Sequence, residues 1–163
     1  EGIMGKPADY MYPGTMCIPM MLRHPQGKSA GTVSDAFIYT LDVPATVLDF
    51  SGVSPLGEIQ GQSLMPFLGS SGTFHERDYL TCRYGNSVWY KDRTTWFFSG
   101  ADFSGPRVFD LESDPDCAHN IVESAPDRIG RARDRILSDA GGEIPIYRRQ
   151  QSTDALGRPE FTS

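Results

Sequence analysis

Apolar residues fall into two regimes along this chain. Up to about residue 70 they come in short runs separated by glycine, proline and serine. Beyond Arg77 they crowd into brief aromatic and β-branched segments. In the first regime, Met16, Ile18, Met20, Met21 and Leu22 form a run between Gly14 and Pro25. The run is short for a helix and predicts a buried strand, with Pro19 at its start or on an edge, since proline cannot donate to a ladder. A second short strand is expected over Ala36–Thr40, followed by a helix. Asp42 is the candidate cap of that helix, Pro44 suits its first turn, and Gly52 suits the left-handed position after its end. Val43, Val47, Leu48 and Phe50 give it an apolar face.

The stretch "SPLGEIQGQSLMPFLGSSG" reads as an irregular connector with a short apolar anchor at Leu64–Leu68, and as the main boundary in the chain. After it, "RDYLTCRYGNSVWYKDRTTWFFS" predicts three antiparallel strands joined at "GN" and "KDR". "PRVFDLESDPD" adds a fourth, ending in an acidic turn. A helix follows from about Pro126 to Ser138, with Ser124 as candidate cap, Ile129, Ala132, Ile136 and Leu137 on one face, and Gly141 at its end. The expected architecture is α+β: a strand–strand–helix piece within residues 1–70, a small four-stranded antiparallel sheet with one packed helix within 71–146, and a polar tail over 147–163.

Composition narrows the partners. The formal net charge of −6 over 163 residues disfavours nucleic acid and anionic membrane surfaces. No apolar run approaches the length of a membrane span, and no charged start leads into an apolar segment. Cys17, Cys82 and Cys117 form no C-x-x-C pair, and His24, His75 and His119 stand far apart, so neither a disulfide scaffold nor a zinc site is indicated. Each cysteine is expected to be a small buried apolar residue.

Candidate chemistry is sparse. Trp89 and Trp96 could stack a sugar, but a small sheet with one helix needs them for its packed face, and that reading is preferred. Asp110, Glu112, Asp114 and Asp116 alternate like a calcium loop yet lack the required glycine and later glutamate, so they read as a turn closing a strand. "CIPMMLR" invites comparison with C-x-P-x-R, but Arg23 follows Cys17 by six positions rather than four, and Cys17 is rejected as a nucleophile. Lys6, beside Gly5, could aim its ammonium at a tetrahedral anion; by itself it reads as a solvated lysine.

Four segments in order change that weighting. "GKPADYMYPGTMCIPMMLRHPQGK", "SDAFIYTLDVPATVLDFSGV", "IQGQSLMPFL" and "RVFDLESDPDCAHNI" resemble successive motifs near the C-terminus of sulfatases, in the alkaline-phosphatase-like superfamily. The resemblance covers about Gly5–Leu137 and implies the C-terminal part of an α/β alkaline-phosphatase-like fold. It implies a hydrolase of sulfate esters in which Lys6 binds sulfate oxygens and offsets charge in the transition state. Tyr12 and Pro19 match framework positions, whereas Pro13 and Cys17 replace an acidic residue and an arginine common there.

The same resemblance implies a formylglycine nucleophile and a divalent cation, calcium or magnesium, in the full-length parent. The C/S-x-P-x-R motif and the paired aspartates that go with them are not in this sequence, so the chain alone is expected to be inactive. Two alternatives stand beside this reading: a phosphodiester or phosphonate hydrolase of the same superfamily, and a non-catalytic module binding a glycan or a partner. Self-association through an exposed strand edge near residues 16–23 is also expected.

Overall fold

The computed structural model of the protein describes residues 10–69 and 72–147, with the backbone of 152–153 and 159–160. In chain order the elements are α1 (Pro13–Met16), α2 (Asp42–Phe50), a single 3-10 turn (Met65–Leu68), β1 (Leu80–Tyr84), β2 (Ser87–Lys91), β3 (Thr95–Gly100), β4 (Arg107–Asp110), α3 (Pro126–Asp139), β5 (Ser152–Thr153) and β6 (Pro159–Glu160). Two compact units emerge. One joins the chain up to Cys17 with everything from Thr81 onward, and the other is Ile18–Leu80.

The first unit rests on an antiparallel sheet of order β1-β2-β3-β4. Short turns make such a meander, and the register sets Trp89 opposite Phe98 and Trp96 opposite Phe109. Side chains alternate between faces. Val88, Tyr90, Phe97 and Val108 share one face; Trp89, Trp96, Phe98 and Phe109 share the other, and all eight are buried. α3 covers the first face with Ala132 and Ile136, and Arg128 reaches Asp110 at 3.3 Å. The helix starts at Pro126 with Ala125 as its N-cap; Ser124, the expected cap, instead donates its hydroxyl to the Ile121 carbonyl. Gly141 takes φ +78° beyond its end, and Gly142 N–H returns to the Leu137 carbonyl at 2.8 Å, closing a Schellman motif.

The acidic run after β4 is the turn that its spacing suggested. Asp110 Oδ1 accepts from Glu112 N–H, and Asp114 accepts from the amides of Ala118 and His119. The turn swings Asn120 back beside β4, where its Oδ1 accepts from Val108 N–H at 2.9 Å, while Ile121 N–H donates to the Val108 carbonyl. A side chain and a backbone amide thus occupy hydrogen-bonding positions that a fifth strand would fill, which blunts the sheet edge.

The second unit has one helix and little apolar core, and a buried carboxylate organises it. Asp42 is fully buried, and it is the first residue of α2 rather than its cap. Its oxygens accept from Tyr39 N–H (2.7 Å), Gln62 N–H (2.7 Å) and both ends of the Arg77 guanidinium (2.9 and 2.8 Å). Arg77 also donates to the Phe37 carbonyl and lies between the rings of Tyr39 and Phe74. One turn on, Thr46 accepts from Leu64 N–H at 2.9 Å, and Ser63 hydroxyl donates to Asp49. Gly61 passes so close to α2 that a Cβ there would stand 2.0 Å from the Leu41 carbonyl oxygen. The connector anchor, Leu64 and Met65, is buried as expected, and Gly52 ends α2 at φ +65°.

Two expected strands do not form. Residues 17–24 and 36–39 carry no ladder among the described residues. Tyr12 and Pro13 begin a helical turn instead, with the Tyr12 carbonyl accepting from Thr15 and Met16, and Met21 is 91% exposed. A strand exists only through its partner, and an apolar run by itself does not supply one. The α+β class holds, with the sheet and the two expected helices, α2 and α3, in place. The tail, expected to be aperiodic, contributes the short antiparallel pair β5–β6.

Desolvation raises the Asp42 pKa, but the Arg77 hydrogen bonds and the amides of Gln62 and Tyr39 outweigh it, and the net shift is downward. A carboxylate stabilised in the folded state contributes stability above its unfolded pKa, near 4, and loses it as pH falls through the lower folded value. Acidification below about pH 4 should therefore free the Tyr39 and Gln62 amides, read by hydrogen exchange. Asp42→Asn, which leaves Arg77 uncompensated, should cost about 3–5 kcal/mol in denaturant unfolding; exchange at those two amides unchanged from wild type would contradict the role. Asn120→Ala, which orphans the Val108 amide, should cost about 1–3 kcal/mol on the same measurement.

Candidate functional site

Lys6, the residue expected to bind the anion, lies outside the described residues. Its sequence neighbourhood from Tyr10 onward is described, and it is held firmly. Trp96 Nε1 donates to the Met11 carbonyl at 2.8 Å in a buried bond. Tyr12 packs edge-on against Phe98 with centroids 4.9 Å apart, and tilted on Phe109 at 5.7 Å. Arg107 Nη1 donates to the Tyr12 hydroxyl at 2.8 Å. Thr15 hydroxyl bonds the carbonyls of Tyr10 and Tyr12 and tightens the turn into α1. Tyr12 is thus a framework residue, while Pro19 is exposed.

Beside this segment a cavity of about 440 Å³ opens on the sheet. Tyr10, Asn86, Asp102, Ser104, Arg107 and Ile146 are among the residues that line it. Asp102 accepts from the Ser104 amide (2.9 Å) and hydroxyl (2.5 Å), and these bonds hold its carboxyl below the usual range. The rim is fixed by the β1–β2 turn. Asn86 Nδ2 donates to the Tyr147 carbonyl and its Oδ1 accepts from Tyr147 N–H, while Arg83 stacks on the Tyr147 ring at 4.0 Å.

Cys17 is exposed, Cys82 half-buried and Cys117 buried, so only the last fits the expectation of a buried cysteine. Desolvation pushes the Cys17 thiol up, and Lys91 nearby only partly opposes this. Desolvation in turn lowers the Lys91 pKa. Trp89 and Trp96 are buried against each other, T-shaped at 4.9 Å, and offer no platform to a sugar. Among the described residues no three His, Cys, Asp or Glu side chains gather to hold a metal ion. These described residues do not fit the divalent cation that the sulfatase resemblance implies.

Arg77 and Arg107 carry structure that the sequence reading passed over. The available signal was their position: each begins or precedes an aromatic strand segment, where an arginine needs a buried partner to be tolerated.

Comparison with known proteins is consistent along the chain. The family described as "N-sulphoglucosamine sulphohydrolase, C-terminal" matches residues 7–130. Arylsulfatase K of Xenopus laevis is 25% identical, the alignment covering 86% of this chain and 30% of that protein. N-acetylglucosamine-6-O-sulfatase of Bacteroides thetaiotaomicron is 38% identical over 63 residues, 39% of this chain and 11% of that protein. The chain therefore spans less than a third of the length of these relatives. The fold is shared with BT4656, solved in complex with its substrate D-glucosamine-2-N,6-O-disulfate, at TM-score 0.62 and 22% identity, over 74% of this chain and 27% of that one. It is shared too with a phosphonate monoester hydrolase of Agrobacterium radiobacter, at TM-score 0.57 and 20% identity, over 70% and 27%. With residues 7–130, most of its length, matched by that family model, the chain belongs to the N-sulphoglucosamine sulphohydrolase C-terminal family and resembles the C-terminal portion of sulfatases.

Proposed function

We propose that this chain serves a hydrolase of sulfate esters by supplying the sulfate-binding lysine, Lys6, and the C-terminal subdomain that steadies it. The observation carrying this reading is the anchoring of Met11 and Tyr12 on Trp96, Phe98 and Arg107, a few residues after Lys6. A lysine that stabilises developing charge works best when its backbone does not have to reorganise during the reaction. The ammonium of Lys6 would pair with sulfate oxygens and with the leaving oxygen as the S–O bond breaks. Formylglycine and a calcium or magnesium ion, which supply the nucleophile and its activation, belong to the full-length parent in this reading. The division into 1–70 as part of the α/β domain, 71–146 as subdomain and 147–163 as tail is part of the same proposal.

The fold shared with a phosphonate monoester hydrolase keeps phosphonate and phosphodiester esters as the second substrate class. Turnover of matched aryl sulfate and aryl phosphonate esters by the full-length enzyme separates them, and faster turnover of the phosphonate would displace the first reading.

The purified 163-residue chain should not hydrolyse an aryl sulfate, with or without added calcium or magnesium; metal-dependent turnover would refute the division of labour. In the full-length enzyme, Lys6→Ala should lower kcat about 10²–10³-fold with folding intact, the usual effect of removing one donor to a transition-state anion. Near-normal kcat would remove Lys6 from the site. Residues 16–23 form no strand edge, but Ile18, Met21 and Leu22 are exposed, and the isolated chain should self-associate through them. Sedimentation should show a dimer that Met21→Ser weakens; a monomer at all concentrations would refute this.

A further inference from the structure

Past Gly141 and Gly142, where α3 has ended, the chain returns to the sheet as residues 143–147, without helix or ladder. Among the described residues, none of the five makes a backbone–backbone hydrogen bond. Two side chains of the β1–β2 hairpin hold the segment instead. Asn86 Nδ2 donates to the Tyr147 carbonyl at 2.7 Å, and Asn86 Oδ1 accepts from Tyr147 N–H at 2.8 Å. Arg83 Nη2 donates to the Pro145 carbonyl, and its guanidinium lies 4.0 Å from the centre of the Tyr147 ring.

The two sides of this contact are held very differently. On the hairpin side, Gly85 takes φ +59° and lets the chain turn sharply between β1 and β2. The Asn86 carbonyl accepts from Ala101 N–H at 2.8 Å, which ties the turn to the end of β3. Arg83 Nε donates to the Gly85 carbonyl at 2.8 Å, and Arg83 Nη2 reaches Asn86 Oδ1 at 3.5 Å, so the two clip residues brace each other. The segment they grip has no such bracing. Ile144 is half-buried; Glu143, Pro145, Ile146 and Tyr147 are exposed. A stretch with few buried apolar contacts and exposed hydrogen bonds opens locally, at lower free energy than the fold as a whole. Nor is it packed tightly. Glu143, Ile144 and Pro145 line a cavity of about 360 Å³, together with Cys82 and the buried Val88 and Ile136. Empty space against the segment deprives it of the dispersion contacts that hold a core residue in place.

We propose that residues 143–147 form a latched strap: Arg83 and Asn86 release it as one unit, without unfolding the sheet, and its release opens the cavity lined by Cys82, Val88 and Ile136. Asn86 Oδ1 serves both Tyr147 N–H and the Arg83 fork, so losing either clip residue loosens the hold of the other. The device is independent of the sulfatase reading, since neither Lys6 nor any anion enters it.

The test is amide hydrogen exchange of the full 163-residue chain by NMR, with alkylation of each cysteine by iodoacetamide followed by mass spectrometry. Tyr147 N–H should exchange faster than the amides of Leu111 and Ile121, which are bonded at the β4 edge of the sheet. Arg83→Met leaves the acceptor of Tyr147 N–H in place, yet it should speed that exchange about fivefold or more, the usual effect of losing one hydrogen bond. Asn86→Ala should bring Tyr147 to the rate of an unprotected amide. Both variants should speed alkylation of Cys82, keep Cys117 protected, and leave Leu111 and Ile121 unchanged. Unaltered Tyr147 exchange in Arg83→Met would mean that the contacts act separately, and would overturn the proposal. Equal acceleration at Leu111 and Ile121 would do so too, because the segment would then open only with the sheet. So would Cys82 alkylation at the wild-type rate in both variants, since release would not open the cavity.

Discussion

The segment from Ile18 to Leu80 depends on one buried carboxylate. Asp42 gathers two backbone amides and a bidentate guanidinium, the last from a residue 35 positions away in sequence. A unit of this size with a single helix buries too little apolar surface to fix its own loops. Hydrogen bonds to a charge replace what core packing would otherwise do, and their directionality positions three loops at once. Arg77, Gln62 and Tyr39 each have other contacts, but Asp42 is where all three are joined.

The sheet unit solves the same problem by the opposite means. Its two central strands are buried on both faces, and aromatic packing supplies most of its cohesion. Polar groups act at its margins. Asp92 accepts from the amides of Thr94 and Thr95 and from Tyr90 hydroxyl to set the β2–β3 turn. Burial raises the pKa of Tyr90 and the Asp92 bond raises it further, so that hydroxyl stays a donor. Trp96 is where packing and polar contact coincide, since its ring fills the core and its N–H holds the chain leading from Lys6.

Much of this was legible in sequence. The alternation of aromatic residues, "GN", "KDR" and the acidic turn gave the sheet, because a meander is built from local pairings that local signals encode. Pro126 and Gly141 gave α3 nearly to the residue. Long-range partners were not legible. Asp42 reads as a cap because capping is local, and its true partner Arg77 can be found only by folding the intervening 34 residues. The run from Met16 to Leu22 reads as a strand because apolar content says nothing of whether a neighbour exists to pair with. For the site, the sequence points to Lys6 through resemblance alone, whereas the bond from Arg107 to the Tyr12 hydroxyl, 95 positions away, is visible only in the fold.

The seal on β4 also sets an order of events at the ribosome. Asn120 and Ile121 close the outer edge of a strand that ends at Asp110, ten residues earlier. Chains grow at roughly 5–20 residues per second, so about half a second to two seconds separate the appearance of that strand from the appearance of its cover. Hairpins form in microseconds. The sheet therefore stands assembled with one edge bare for a time that is very long on the scale of its own folding. Throughout that interval the nascent chain presents a β-edge to whatever chaperone or neighbouring chain is near the tunnel exit, and synonymous codons that slow translation between Asp110 and Ile121 lengthen it in direct proportion.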